Sequence, residues 1–260
     1  MNEFPSLYII LLLLAGLSGI VLFLGSSGMK TPTLRLLLSF GAAYLLGLTF
    51  LHLVPEIFSS GVDHAGWYIL AGFVLQIVLD FFSHGVEHGH AHPQKDRGMT
   101  FLLPVIISLW IHAFIEGMPF GGSWGTATEG MHAHAHVHAH GMDDHRSSLI
   151  VGIGLHKVTE SLVFCALLLG SGMEKRRALL WFLLFASMAP IGCAVQFMLG
   201  SSGAVDILTF TPKITAILVG IMLHVATTVL FESSEGHHFN LRKFLAIIAG
   251  LLASGVASYI

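Results

Sequence analysis

The sequence predicts an all-α polytopic membrane protein with eight transmembrane helices, and three observations carry that prediction. Apolar runs near 20 residues recur along the whole chain, and about 20 residues of helix cross the roughly 30 Å of bilayer hydrocarbon. Only 10% of the residues are charged while 54% are hydrophobic, against roughly 25% charged in a soluble domain. Runs of this length are twice what a barrel strand needs, so helices are the spanning element. The net charge of −3 gives no reason to expect nucleic acid as a partner. Cys165 and Cys193 both fall inside apolar runs, which excludes a disulfide framework and a CxxC metal motif. The chain starts with Glu3 rather than a basic cluster, and no small-residue cleavage site follows its first apolar run. No cleavable leader is therefore expected.

In chain order the expected spans are Leu7–Leu24, Leu34–Val54, Trp67–Phe82, Phe101–Phe120, Leu149–Leu169, Leu179–Leu199, Ile214–Phe231 and Phe244–Ile260. They form one domain, residues 1–260, with two longer connections. Residues 83–100 join spans 3 and 4 and carry His84, His88, His90 and His92; residues 121–148 join spans 4 and 5 and carry the alternating MHAHAHVHAH run. That run is low in complexity and polar, hence expected to be mobile. Its histidines either collect metal weakly or belong to a solvated linker. Basic residues set the orientation. Nine lie in the loops after spans 1, 3, 5 and 7, against Arg146 and Lys213 on the other side. Both termini and the 121–148 loop are therefore expected outside, and the 83–100 loop in the cytoplasm. The compact loops suit a bacterial inner membrane. Thr31-Pro32 opens span 2 and Thr211-Pro212 opens span 7, each an N-cap followed by proline in the first turn. These spans start on opposite sides, which fits an inverted 3+2+3 repeat.

A histidine precedes a glutamate by four positions three times: His52/Glu56, His112/Glu116 and His156/Glu160. Positions i and i+4 share a helix face, so each pair presents an imidazole and a carboxylate side by side. A charge at the bilayer centre costs about 2.5–3.5 kcal/mol even on the gentlest scale. Two such pairs on adjacent spans 4 and 5 supply four ligands, the natural count for zinc. The competing reading of one pair alone is a core histidine bonded to a neighbouring carboxylate. Gly117 and Pro119 follow the span 4 pair and weaken the helix there. Ser161 would support the span 5 pair. Lys157 points about 100° away from His156 and needs a carboxylate, Glu160 or Glu116. As a fixed ammonium it would occupy the place of a second metal.

The remaining polar groups in or near spans divide between a metal path and ordinary structure. His52 and Glu56 lie near the outer end of span 2, either on the path or at a helix end kinked by Pro55. Asp80, His84 and His88 mark the cytoplasmic end of span 3, as an exit or sensing site or as a charged helix end. His224 stands alone at mid-span 7, as a functional group or a packed, hydrogen-bonded one. Scattered methionines form no thioether cluster for copper(I).

With these residues in view, the chain resembles the ZIP (Zrt-, Irt-like protein) family of divalent-metal transporters over essentially its whole length. The resemblance is carried by His112-Ala113-Phe114-Ile115-Glu116-Gly117, His156-Lys157-Val158-Thr159-Glu160 and His52-Leu53-Val54-Pro55-Glu56, with Ser187–Gly192 matching the span 6 pattern. It implies a metal centre between spans 4 and 5, with His112, Glu116, His156 and Glu160 as primary ligands. It also implies spans 1–3 and 6–8 related by an inverted pseudo-twofold, with alternating access by one helix group sliding against another. Ala113 stands where many members have asparagine, and Lys157 where some have an acidic residue, so a single-metal site is expected. The implied activity is entry of Zn²⁺, or a similar divalent ion, into the cytoplasm, with the ion as substrate rather than cofactor. The implied partners are that ion and the lipid bilayer, with a homodimer as the candidate assembly. The rival is an intramembrane zinc hydrolase, which also needs buried His and acidic groups and an open position for water. The lack of HExxH spacing counts against it, and no enzymatic activity is expected.

Overall fold

The structure is a computed structural model that describes residues 5–21, 31–83, 99–122, 141–232 and 241–256. Among these residues the chain forms eight helices and no strand. We label them α1 (Ser6–Leu17, tightening to a 3₁₀ turn at Ser18–Ile20), α2 (Thr31–Leu48, continuing through Thr49–Leu53 to Val54–Ser59) and α3 (Ala65–Ser83). There follow α4 (Met99–Gly117, then a 3₁₀ turn at Met118–Gly121), α5 (Gly141–Gly170), α6 (Lys175–Ser201), α7 (Ile207–Glu232) and α8 (Leu241–Val256). Six of them, α2 to α7, are long and apolar enough to cross a membrane. The first and last expected spans are shorter among the described residues: α1 with its 3₁₀ turn covers Ser6–Ile20, and α8 has 16 residues. Length and apolarity make the chain an integral membrane protein. The outward face of α3 fits, with Trp67, Leu70, Val74, Ile77, Val78 and Phe81 all exposed.

Two elements differ from expectation. α5 starts at Gly141, inside the stretch that composition marked as loop. Once a helix is nucleated, each further residue adds a hydrogen bond at low entropic cost, so the helix runs on past the apolar span. In α2, Thr49–Leu53 adopts a π-helical turn just before Pro55. Proline has no N–H to give the carbonyl four residues back, and a widened turn is the usual accommodation.

The bundle is built on close backbone contacts. α3 lies along α7, and α2 along α8; α6 packs against α4 and α1, α5 against α1 and α2, and α3 against α4. Glycine makes several of these approaches feasible. A Cβ on Gly117 of α4 would overlap the Ala189 carbonyl of α6, and one on Gly192 of α6 would overlap the Phe114 carbonyl of α4. The same reciprocity joins α3 to α7 through Gly72 against Ile217 and Gly220 against Ile69. Lipid is as apolar as a leucine side chain, so helix association in a bilayer depends on such small-residue packing. Gly117→Leu and Gly192→Val should each destabilise the protein by about 1–3 kcal/mol, the cost of overpacking a tight contact. Gly154→Ala is the control, since nothing lies within 4 Å of its added Cβ; unfolding midpoints in detergent check all three.

Candidate metal centre

α4 and α5 each place a histidine and a glutamate on the same face one turn apart, as their spacing dictates. His112, Glu116, His156 and Glu160 converge in the bundle interior, all four buried, with one donor atom from each within 4.8 Å of the others. Glu116 is at the middle. Its Oε1 lies 3.1 Å from His112 Nε2 and 3.4 Å from His156 Nε2. Its Oε2 takes the ammonium of Lys157, which also lies 2.5 Å from Glu160 Oε2. The two imidazoles stand edge to face with centroids 5.8 Å apart. Zinc held tetrahedrally at about 2.0–2.2 Å needs donors about 3.4 Å apart. Two of the donor separations, 3.1 and 3.4 Å, are close to that value, and all four donors lie within 4.8 Å of one another. Imidazole with carboxylate suits zinc and neighbouring divalent ions, whereas magnesium and calcium prefer an all-oxygen shell.

Lys157 is fully enclosed, its ammonium between two carboxylates and 5.3 Å from the ring centroid of Phe185. It contacts Glu116 and Glu160 together, where the sequence required at least one of them. Opposite charges at this distance offset a desolvation penalty that neither carboxylate could bear alone.

The other sequence candidates fall in three places. Ser161 turns away from the centre: its hydroxyl lies 2.7 Å from that of Ser18 and accepts the Gly19 N–H at 3.1 Å, tying α5 to α1. His52 and Glu56 stay on α2, where the π turn and the segment after it pack against α7, and they are not part of the four-residue cluster. Asp80 and His224, read separately in the sequence, come together across α3 and α7 with His224 Nε2 3.8 Å from Asp80 Oδ2. The His224 ring also meets Phe73 edge to face. His84, His88 and most of both histidine-rich loops lie outside the described residues.

Sequence reasoning missed Gln76. It is fully buried on α3, and its Oε1 lies 2.9 Å from His112 Nδ1. The signal was a glutamine alone in the apolar run Phe73–Val78, a position that costs free energy unless a polar partner meets it. No protein-family model matches this chain, and no curated protein matches it either.

Removing one partner from a buried ion pair leaves a charge uncompensated. Lys157→Met should therefore lower the stability of the metal-free protein by about 3–5 kcal/mol, read as an unfolding midpoint in detergent with chelator present. Added zinc should recover more of that midpoint in the variant than in the unsubstituted protein, because the metal would then supply the missing positive charge.

Proposed function

We propose that this chain is a ZIP-type permease that brings a divalent transition metal, zinc foremost, into the cytoplasm by alternating access. The observation that carries this reading is the buried four-ligand cluster of His112, Glu116, His156 and Glu160 inside a bundle of membrane-length helices. In this reading the carboxylates of Glu116 and Glu160 replace the waters of the incoming ion. His112 and His156 favour zinc-like ions over magnesium and calcium. Lys157 fills the place of a second metal, so the site takes one ion at a time. His52 and Glu56 lie on the outer approach, and Asp80 with His224 lies on the way to the cytoplasm. The excess of basic residues in alternate loops supports an orientation with both termini outside, and the compact loops support a bacterial inner membrane.

The helix neighbours support an inverted 3+2+3 arrangement. An exchange of α1 with α6, α2 with α7, α3 with α8 and α4 with α5 turns the α3–α7 contact into the α8–α2 contact. It also turns α4–α6 into α5–α1, and leaves α1–α6 and α2–α7 as they are; all six contacts occur. Grouped as α1, α4, α5 and α6 against α2, α3, α7 and α8, the helices meet at the α2–α5, α3–α4 and α4–α7 faces. Such a division suits one group sliding against the other.

Purified protein in proteoliposomes should show saturable zinc entry, and Glu160→Ala should abolish it. No entry, with zinc held tightly and without exchange, would sink the permease reading and favour the hydrolase. Flux should also decline between pH 7.5 and pH 5.5. Protons then compete for imidazole and carboxylate donors that must be deprotonated to hold metal. A flat profile over that range would count against coordination by the two histidines.

A further inference from the structure

A histidine that binds metal through one ring nitrogen must keep its remaining proton on the other, and the partner of that second nitrogen sets the tautomer and the ring's orientation. His112 faces the cluster with Nε2, 3.1 Å from Glu116 Oε1, and turns Nδ1 away from it. Behind the ring, 2.9 Å from Nδ1, is the amide oxygen of Gln76. A carbonyl oxygen only accepts, so Gln76 favours a proton on Nδ1; Nε2 faces the Glu116 carboxylate, where a cation bound between the two would take its lone pair. We infer that Gln76 is the positioning residue of the centre, holding His112 as the Nδ1-protonated tautomer so that Nε2 can coordinate the metal. This rests on the metal-site part of the permease reading, not on transport itself.

The surroundings make the contact rigid. Gln76 is enclosed on the face of α3 that meets α4. One turn further along the same helix pair, the Ser108 hydroxyl of α4 donates to the Leu79 carbonyl of α3 at 2.5 Å. Two polar contacts thus set the register of α3 against α4 in this state, one of them ending on the His112 ring. α3 is itself seated on α7 by the reciprocal glycines Gly72 and Gly220, so the amide is presented by a helix that cannot easily recede. No residue of α3 belongs to the four-ligand cluster. Its contribution to the centre is made through His112, across the boundary between the two helix groups. A slide of one helical turn, about 5.4 Å, would carry the amide away from the ring.

The test compares the full chain with Gln76→Met, which keeps the volume and removes the acceptor, and Gln76→Glu, which restores an acceptor. Zinc binding is measured at equilibrium. The state of His112 is read by nitrogen NMR of ¹⁵N-histidine-labelled protein in bilayers, with His112→Ala assigning the signal. Gln76→Met should weaken zinc binding about 10–100-fold, the usual effect of losing the partner behind a ligating histidine, and should remove the single Nδ1-protonated signal of His112. Gln76→Glu should keep both near the unsubstituted protein. Unchanged binding and an unchanged signal in Gln76→Met would overturn the inference. So would a Gln76→Glu variant as weak as Gln76→Met. The two readings fail separately. Zinc bound through His112 but not carried across the bilayer ends the permease reading and leaves Gln76 in place, whereas transport indifferent to Gln76→Met ends only the positioning role. If the unsubstituted protein binds no zinc, both fall.

Discussion

The ammonium of Lys157, enclosed between Glu116 and Glu160, is the interaction on which the centre depends. Two carboxylates close together in an apolar bundle would repel, and burying either without a partner would be costly. A fixed cation between them lets both remain anionic at a tolerable cost. It does so from one side only. Lys157 holds Oε2 of both glutamates, and Oε1 of Glu116 is turned toward the two imidazoles. With neutral histidines the three charged groups sum to a single negative charge.

Electrostatics of this kind requires a frame that does not yield. The frame here is backbone against backbone, at points where glycine leaves no side chain in the way. Gly117 directly follows Glu116, and its contact with the Ala189 carbonyl pins the end of α4 to α6. Just beyond, Met118–Gly121 tightens to a 3₁₀ turn, where Pro119 offers no donor to continue the helix. Glu116 is thus the penultimate residue of a helix whose end is clamped on one side. His112, one turn earlier, is held from the other side by Gln76. Ligand-bearing helices anchored this way present their donors with little freedom, which is the condition for selective coordination.

The polar residues of the interior form more than one cluster. Beyond the four ligands, the Asp80–His224 pair joins α3 to α7, and Gln76 lies one turn before Asp80 on α3. Intramembrane polar groups are retained where they pair with one another or line a path. From Glu116 through His112 and Gln76 to Asp80 and His224, the polar groups follow one another toward the C-terminal end of α3.

Local periodicity determined a good deal. Apolar runs located eight helices, six of them of membrane length, and the i, i+4 spacing of His112/Glu116 and His156/Glu160 named four side chains that do converge. The i, i+3 relation also made Glu160 a natural partner for Lys157. These contacts lie within a helix, where 3.6 residues per turn fixes who meets whom. The rule is weaker where the helix is irregular: His52 lies within the π turn Thr49–Leu53 and Glu56 just after it, so ordinary helical spacing does not by itself set how the two face each other. Contacts between helices had no such rule. That Lys157 also reaches Glu116, that Gln76 stands behind His112, that Asp80 meets His224 and that Ser161 turns to α1 depended on which helices lie adjacent and in what register. The tertiary structure decided these through close glycine contacts and a few buried hydrogen bonds, whose partners lie too far apart in the chain for any local pattern to pair them.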